Sequence, residues 1–93
     1  MGKRARPKPK RLAEKLFRIR EALGVSQGEM FRRLDVEEFS EVKRISDYET
    51  DKSEPPLPVL LQYARVAGVC VDVLIDDDLD LPAKLPAKPK HKI

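Results

Sequence analysis

The amino-acid sequence predicts an all-α fold: five short helices in one compact domain, with basic ends on either side. Three observations predict it. Apolar residues recur at helical spacing through most of residues 12–76. Start and stop signals punctuate that spacing: Ser26, Ser40 and Pro58 suit helix beginnings, and Gly24 and Gly68 suit helix ends. The length of 93 residues admits one domain. With flexible ends its folded part is near ~65 residues, which holds only a modest core.

Leu12, Leu16, Ile19 and Leu23 lie on one face of the first helix, which Gly24 ends. The second starts at Ser26. Glu29 completes a capping box, and Val25 with Met30 forms a hydrophobic staple. Its inner face is Met30, Phe31 and Leu34. The third helix is expected over about 41–50, capped by Ser40, with Val42, Ile45 and Tyr48 inward. After the polar loop "TDKSEPPLP", Pro58 sits in the first turn of a fourth helix. Leu57, Leu60, Leu61, Ala64 and Ala67 line one side of it, and Gly68 ends it. The stretch "VCVDVLIDD" is β-branched enough for a strand but has no sheet to join. It is read as a fifth helix with Val71, Leu74 and Ile75 buried, and Cys70 as a small buried hydrophobe.

Residues 1–11 read as a disordered basic arm, because Pro7 and Pro9 oppose helix and no large apolar side chain occurs in "GKRARPKPKR". Residues 77–93 read as a flexible tail, acidic and then rich in Pro and Lys, with "LPAK" at 81–84 and again at 85–88. The net charge of +3 hides opposed blocks. Residues 1–33 carry eleven basic and three acidic side chains, residues 34–54 three basic and eight acidic, residues 55–80 one Arg and five Asp, and residues 81–93 four Lys. The ends therefore suit a polyanion, and the middle does not.

One Cys and one His exclude a disulfide framework and a zinc site built from Cys and His alone. "DDDLD" (76–80) lacks the spacing and glycine of a calcium loop and reads as a solvated helix end. With no nucleophile–base–orienter set, neither enzymatic activity nor a cofactor is expected. No apolar run approaches the roughly 20 residues of a membrane span. Nor does an apolar stretch follow the basic N-terminus as in a signal peptide. The expected location is the cytoplasm, or the nucleoid if the source is bacterial.

In order along the chain, "IREALGVSQGEMFRRL", "ISDYE", "EPPLPVLLQYA" and "AGVCVDVLI" resemble the lambda-repressor-like helix-turn-helix domain of the Cro/XRE family, over roughly residues 12–76. The resemblance implies a transcriptional regulator that binds double-stranded DNA, with the third helix reading bases, and a homodimer. It maps Gln27 to a phosphate or base contact. Val42, Lys43 and Asp47, with Arg44 beside them, become the base-facing stripe. Thr50, Lys52 and Ser53 become a backbone-gripping loop, and Arg20–Glu49 an internal ion pair. The sequence departs from the pattern at Phe31 for a small residue, at Asp35 and Asp51 for glycines, and at Cys70 for a serine cap. Leu34 and Ile45 are eleven apart where the pattern has about seven. The four extra residues, from within "DVEEFSE", are expected to loop out, with Phe39 as a staple residue, rather than to extend the second helix.

A DNA reader with so many carboxylates needs those carboxylates sorted. Glu49 is assigned to the internal pair. Glu41 is expected in the first turn of the third helix and Glu54 near the start of the fourth, both favoured by the helix dipole. Asp47 is left either to accept from a cytosine or to neutralise Lys43 four residues before it. Arg4 and Arg6 in the N-terminal arm suit a narrow minor groove. The rival expectation is a protein-interaction module, antitoxin-like or accessory, whose acidic middle meets a basic protein partner.

Overall fold

In the computed structural model, which describes residues 9–38 and 40–85, five helices follow in order: α1 (Leu12–Leu23), α2 (Gln27–Leu34), α3 (Lys43–Glu49), α4 (Leu57–Ala67) and α5 (Val71–Ile75). No strand occurs among the described residues, and "VCVDVLIDD" is helical in its centre. Helix α1 packs against α3 and α5, α2 against α3 and α4, and α4 against α5. One core results, from Leu12, Leu16, Ile19, Met30, Leu34, Val36, Ile45, Tyr48, Val59, Leu60, Tyr63, Ala64, Ala67 and Leu74. Each large aliphatic side chain so buried contributes about 1.5–3 kcal/mol.

Local signals explain the helix ends. Gly24 and Gly68 adopt φ of 70° and 78°, and their N–H groups bond back into the last turns of α1 and α4. The Ser26 hydroxyl accepts from the Glu29 N–H at 3.1 Å. The return half of the capping box is not made, because the Glu29 carboxylate instead accepts from Arg32 and Arg33. Those two guanidinium groups hold its pKa below the usual carboxylate range. Helix α2 stops at Leu34, where Asp35 turns left-handed (φ 56°) and Gln62 of α4 donates to the Leu34 carbonyl at 2.8 Å. Residues 35–38 are not helical, so the chain between α2 and α3 loops rather than lengthening α2. Val36 is buried beneath that loop. Phe39, the expected staple, lies outside the described residues.

Several expectations about faces are corrected. Helix α3 begins two residues later than expected, its N-cap is Val42, and no side chain caps it. The Ser40 hydroxyl is instead hydrogen-bonded to the Tyr48 hydroxyl at 2.8 Å. Val42, expected inward, is 47% exposed, since it precedes the turn that carries Ile45 and Tyr48 into the core. In α4 the buried stripe is Val59, Leu60, Tyr63, Ala64 and Ala67, while Leu57 (79%) and Leu61 are exposed. An almost wholly apolar helix admits two overlapping stripes, and the bulk of Tyr63 decides between them. Phe31 and Val71 are only partly buried, Ile75 faces outward, and Cys70 is exposed.

Residues 77–81, expected as the start of a free tail, are held against the beginning of α1. Asp77 accepts from the backbone N–H groups of Lys10 (2.9 Å) and Arg11 (3.1 Å), so it holds the two residues that lead into α1 from across the fold. Arg11 donates to the Asp77 carbonyl at 2.7 Å and pairs with Asp80. Lys15, within the apolar stripe of α1, is 2% exposed. Its ammonium donates to the carbonyls of Val73 (2.7 Å), Asp76 (3.0 Å) and Leu79 (2.7 Å), at and just beyond the end of α5. Three donors meeting three carbonyls make the burial of this charge tolerable. Burial, with Arg11 as a second cause, holds the Lys15 pKa below its ordinary value.

Two outcomes follow from this clasp. Lys15→Met keeps the stem and removes the donor from the Val73 and Leu79 carbonyls, while Asp76 keeps the Leu79 N–H, and is expected to destabilise the fold by about 2–3 kcal/mol in urea unfolding. The pKa values of Asp77 and Asp80 lie below the ordinary 3.8, Asp77 through the Lys10 and Arg11 N–H groups and Asp80 through the Arg11 side chain. A depressed carboxylate contributes stability that is fully present above its unfolded pKa and lost as pH falls through the folded one. The stability difference between wild type and Asp77→Asn/Asp80→Asn should therefore be constant at neutral pH and shrink below about pH 4.

Candidate nucleic-acid interface

Of the residues singled out around α2 and α3, Arg20, Gln27 and Glu49 meet at one carboxylate. Arg20, in the last turn of α1, donates to both carboxylate oxygens of Glu49, at 2.7 Å from Nε and 3.1 Å from a terminal nitrogen. Its other terminal nitrogen donates to the Val25 carbonyl at 3.0 Å, and the group lies 5.5 Å from the centre of the Phe17 ring. The Arg20 and Glu49 side chains are 18% and 4% exposed. The hydrogen bonds to Glu49 raise the Arg20 pKa against the opposing effect of burial. Gln27, the first residue of α2, donates its amide to the same carboxylate at 3.3 Å. Glu49 therefore ties the end of α1 and the start of α2 to the end of α3.

Behind this junction Tyr63 is fully buried, its hydroxyl lacks a partner, and burial pushes its pKa up. In front of it α3 presents Val42, Lys43 and Arg44 to solvent, with Asp47 half-buried beside them. Asp47 pairs with Arg44 at 3.5 Å, three residues away, rather than with Lys43. Lys43 lies 3.5 Å from Glu41. Glu41 is not in the first turn of α3 as expected; it precedes the helix, and its carbonyl accepts from the Arg44 N–H at 2.9 Å. Asp35, Glu37, Glu38 and Glu41 are all exposed, so the loop between α2 and α3 is an acidic lip leading into α3, with Glu41 beside Lys43.

The loop after α3 is built on the Asp47 carbonyl, which accepts from the N–H groups of Lys52 (2.9 Å) and Ser53 (3.3 Å). Thr50 is exposed, but its hydroxyl donates to the Ser46 carbonyl at 2.8 Å. Lys52 is exposed, and the Ser53 hydroxyl is buried without a partner. Asp35 and Asp51 are the only non-glycine residues with positive φ among the described residues (56° and 64°). Aspartate tolerates this conformation better than most side chains. Glu54 lines an apolar groove with Pro9, Pro55, Pro56, Leu57, Leu60, Val71 and Ile75. Arg4 and Arg6 lie outside the described residues.

Sequence reasoning missed Lys15 and Asp77. A lysine three residues after Leu12 and four before Ile19 stands in an inward position, which was a usable signal. Asp77, inside an acidic run, carried none. Among the described residues no group of three or more His, Cys, Asp or Glu is arranged to hold a metal, and no helix is long and apolar enough to cross a membrane. No protein-family model, curated protein or solved structure matches the chain.

Arg20→Ala would leave the Glu49 carboxylate buried without its cation. It is expected to cost about 3–5 kcal/mol in denaturant unfolding. Replacing both partners with apolar residues of similar volume should cost markedly less.

Proposed function

We propose that this chain is a sequence-specific DNA-binding transcriptional regulator of the Cro/XRE type, acting without catalysis. The observation that carries this reading is the Arg20–Glu49–Gln27 junction. It fastens the start of α2 and the end of α3 to α1 while α3 turns Val42, Lys43 and Arg44 outward. A rigid helix with a solvent-facing polar stripe is what major-groove reading requires. In this reading Gln27, Thr50 and Lys52 meet the sugar–phosphate backbone, which positions the domain without specifying sequence. The Arg44–Asp47 pair aims the guanidinium and makes misplaced contacts costly. The terminal basic segments add salt-dependent affinity. A homodimer reading two half-sites about one helical turn apart completes the proposal. Beyond α5, Leu79 is exposed and open to such a contact, whereas Leu81 is packed against the core.

One observation favours the rival reading, a protein-interaction module: the exposed acidic lip of Asp35, Glu37, Glu38 and Glu41 beside α3. Such a lip repels phosphates and suits a basic protein.

A competition assay at fixed salt separates the two. Lys43→Ala and Arg44→Ala should each weaken binding to the preferred duplex by ~1–3 kcal/mol. Asp47→Ala should strengthen binding to random DNA and narrow the gap between the two duplexes. If the wild type prefers no sequence drawn from a random pool, the DNA-reading proposal fails and the interaction module takes its place.

A further inference from the structure

The apolar groove between the start of α4 and α5 takes no part in the α3 face. Its volume is about 480 Å³, within the range of roughly 300–1,000 Å³ for sites that accept ligands. Leu60, 5% exposed, and the partly buried Val71 lie at its base. Leu57, at the start of α4, and Ile75, at the end of α5, stand on its two banks. They are 79% and 42% exposed, and neither belongs to the core. Leu61, one turn on from Leu57, is exposed as well and extends the apolar surface. Pro9, Pro55 and Pro56 complete the lining.

The surroundings of this groove are acidic. Residues 54–80 hold Glu54, five Asp and one basic side chain, Arg65, which lies two turns along α4 from Leu57. Asp77 and Asp80 are engaged with Lys10 and Arg11. Asp72 is exposed on α5, within about 100° of both Val71 and Ile75. Asp76, also exposed, follows it by four residues. A second copy of the chain docked here about a two-fold axis would set this acidic rim against its own counterpart, which is unfavourable. The shape of the occupant follows from the prolines. They carry no N–H, so an extended segment laid along them finds no ladder of donors. A helix brings its own backbone hydrogen bonds and needs only an apolar stripe to enter such a groove.

We propose that the α4–α5 groove docks a basic amphipathic helix of a protein partner. Its aliphatic side chains enter between Leu57 and Ile75, and its lysines or arginines meet Asp72 and Asp76. No residue of α2 or α3 lines the groove, so the docked helix leaves Lys43 and Arg44 open. The site is separate from both the α3 stripe and the acidic lip.

The test pans a displayed library of amphipathic helices of about 14 residues on the full chain. Every member carries Leu, Ile, Met or Phe along one helical stripe, and its other positions are drawn from Lys, Arg, Glu, Gln and Ala. The recovered peptides should be rich in Lys and Arg. A labelled copy should bind the full chain and lose affinity on the order of tenfold with Leu57→Ser/Ile75→Ser. Both positions are exposed, so helicity by circular dichroism should match the wild type. Asp72→Lys should weaken binding severalfold, and the difference should fade at high salt. Recovery of only Glu-rich peptides, or of none that outbinds a scrambled control, overturns the proposal. So does undiminished binding to a folded serine variant, which puts the peptide elsewhere, or to Asp72→Lys. If the serine variant does not fold, Asp72→Lys decides alone. A wild type that sediments as a dimer, and as a monomer after Leu57→Ser/Ile75→Ser, seats a second copy in the groove and overturns the proposal too. None of these outcomes bears on the effect of Lys43→Ala and Arg44→Ala on duplex DNA, so the two proposals fail separately.

Discussion

The Arg20 guanidinium is the constraint on which the candidate face depends. Its planar fork meets the two Glu49 oxygens, and its remaining arm reaches the Val25 carbonyl at the α1–α2 turn. A point charge such as lysine has no such fork and would not hold helix, turn and helix in one plane. Because the Glu49 carboxylate is almost wholly withdrawn from water, the pair is all or nothing: both ions stay, or the junction loosens. Gln27 joins the same carboxylate, so the position of α2 is read directly from that of α3. The α2–α3 connection, residues 35–42, can be long because the relation between the helices is set at this end. The connection at the other end only has to reach.

The opposite end of α1 is organised by the same physics with different atoms. There the helix begins with unsatisfied N–H groups and α5 finishes with unsatisfied carbonyls. Asp77 pins the N–H groups of Lys10 and Arg11 just ahead of the first, and the Lys15 ammonium answers the second at Val73. Two short elements that would fray alone are closed by each other's side chains. This matters for α5, which at five residues is far below the length at which a helix holds itself together.

How much of this was legible depended on whether the information was local. Gly24, Gly68 and Ser26 state their roles within four residues, and the helices they bound were readable. The Arg20–Glu49 pair spans 29 residues and was readable only through resemblance to a family, because nothing near either residue names the other. The α4 face was misread for a physical reason: "LPVLLQYARVA" is apolar nearly all round, so periodicity alone cannot select between Leu57 and Val59. Val42 and Ser40 were misassigned because helix α3 starts without a side-chain cap, and the serine that looked like one serves Tyr48 instead. Asp77 was invisible because its partners lie 66 and 67 residues away and its neighbours are also aspartates.

The bonds between residues 10–11 and 77 also decide how the domain bears a load. A force applied between the two ends of the chain, as when both are held by a long polymer, enters the fold at Lys10 and Arg11 on one side and at residues 80–85 on the other. From the N-terminal side it meets the clasp first, and from the C-terminal side it meets Leu85 and Leu81 on the way to it. The Asp77 hydrogen bonds and the Arg11–Asp80 pair join these two points of the chain directly, so they stand between such a pull and the first turn of α1.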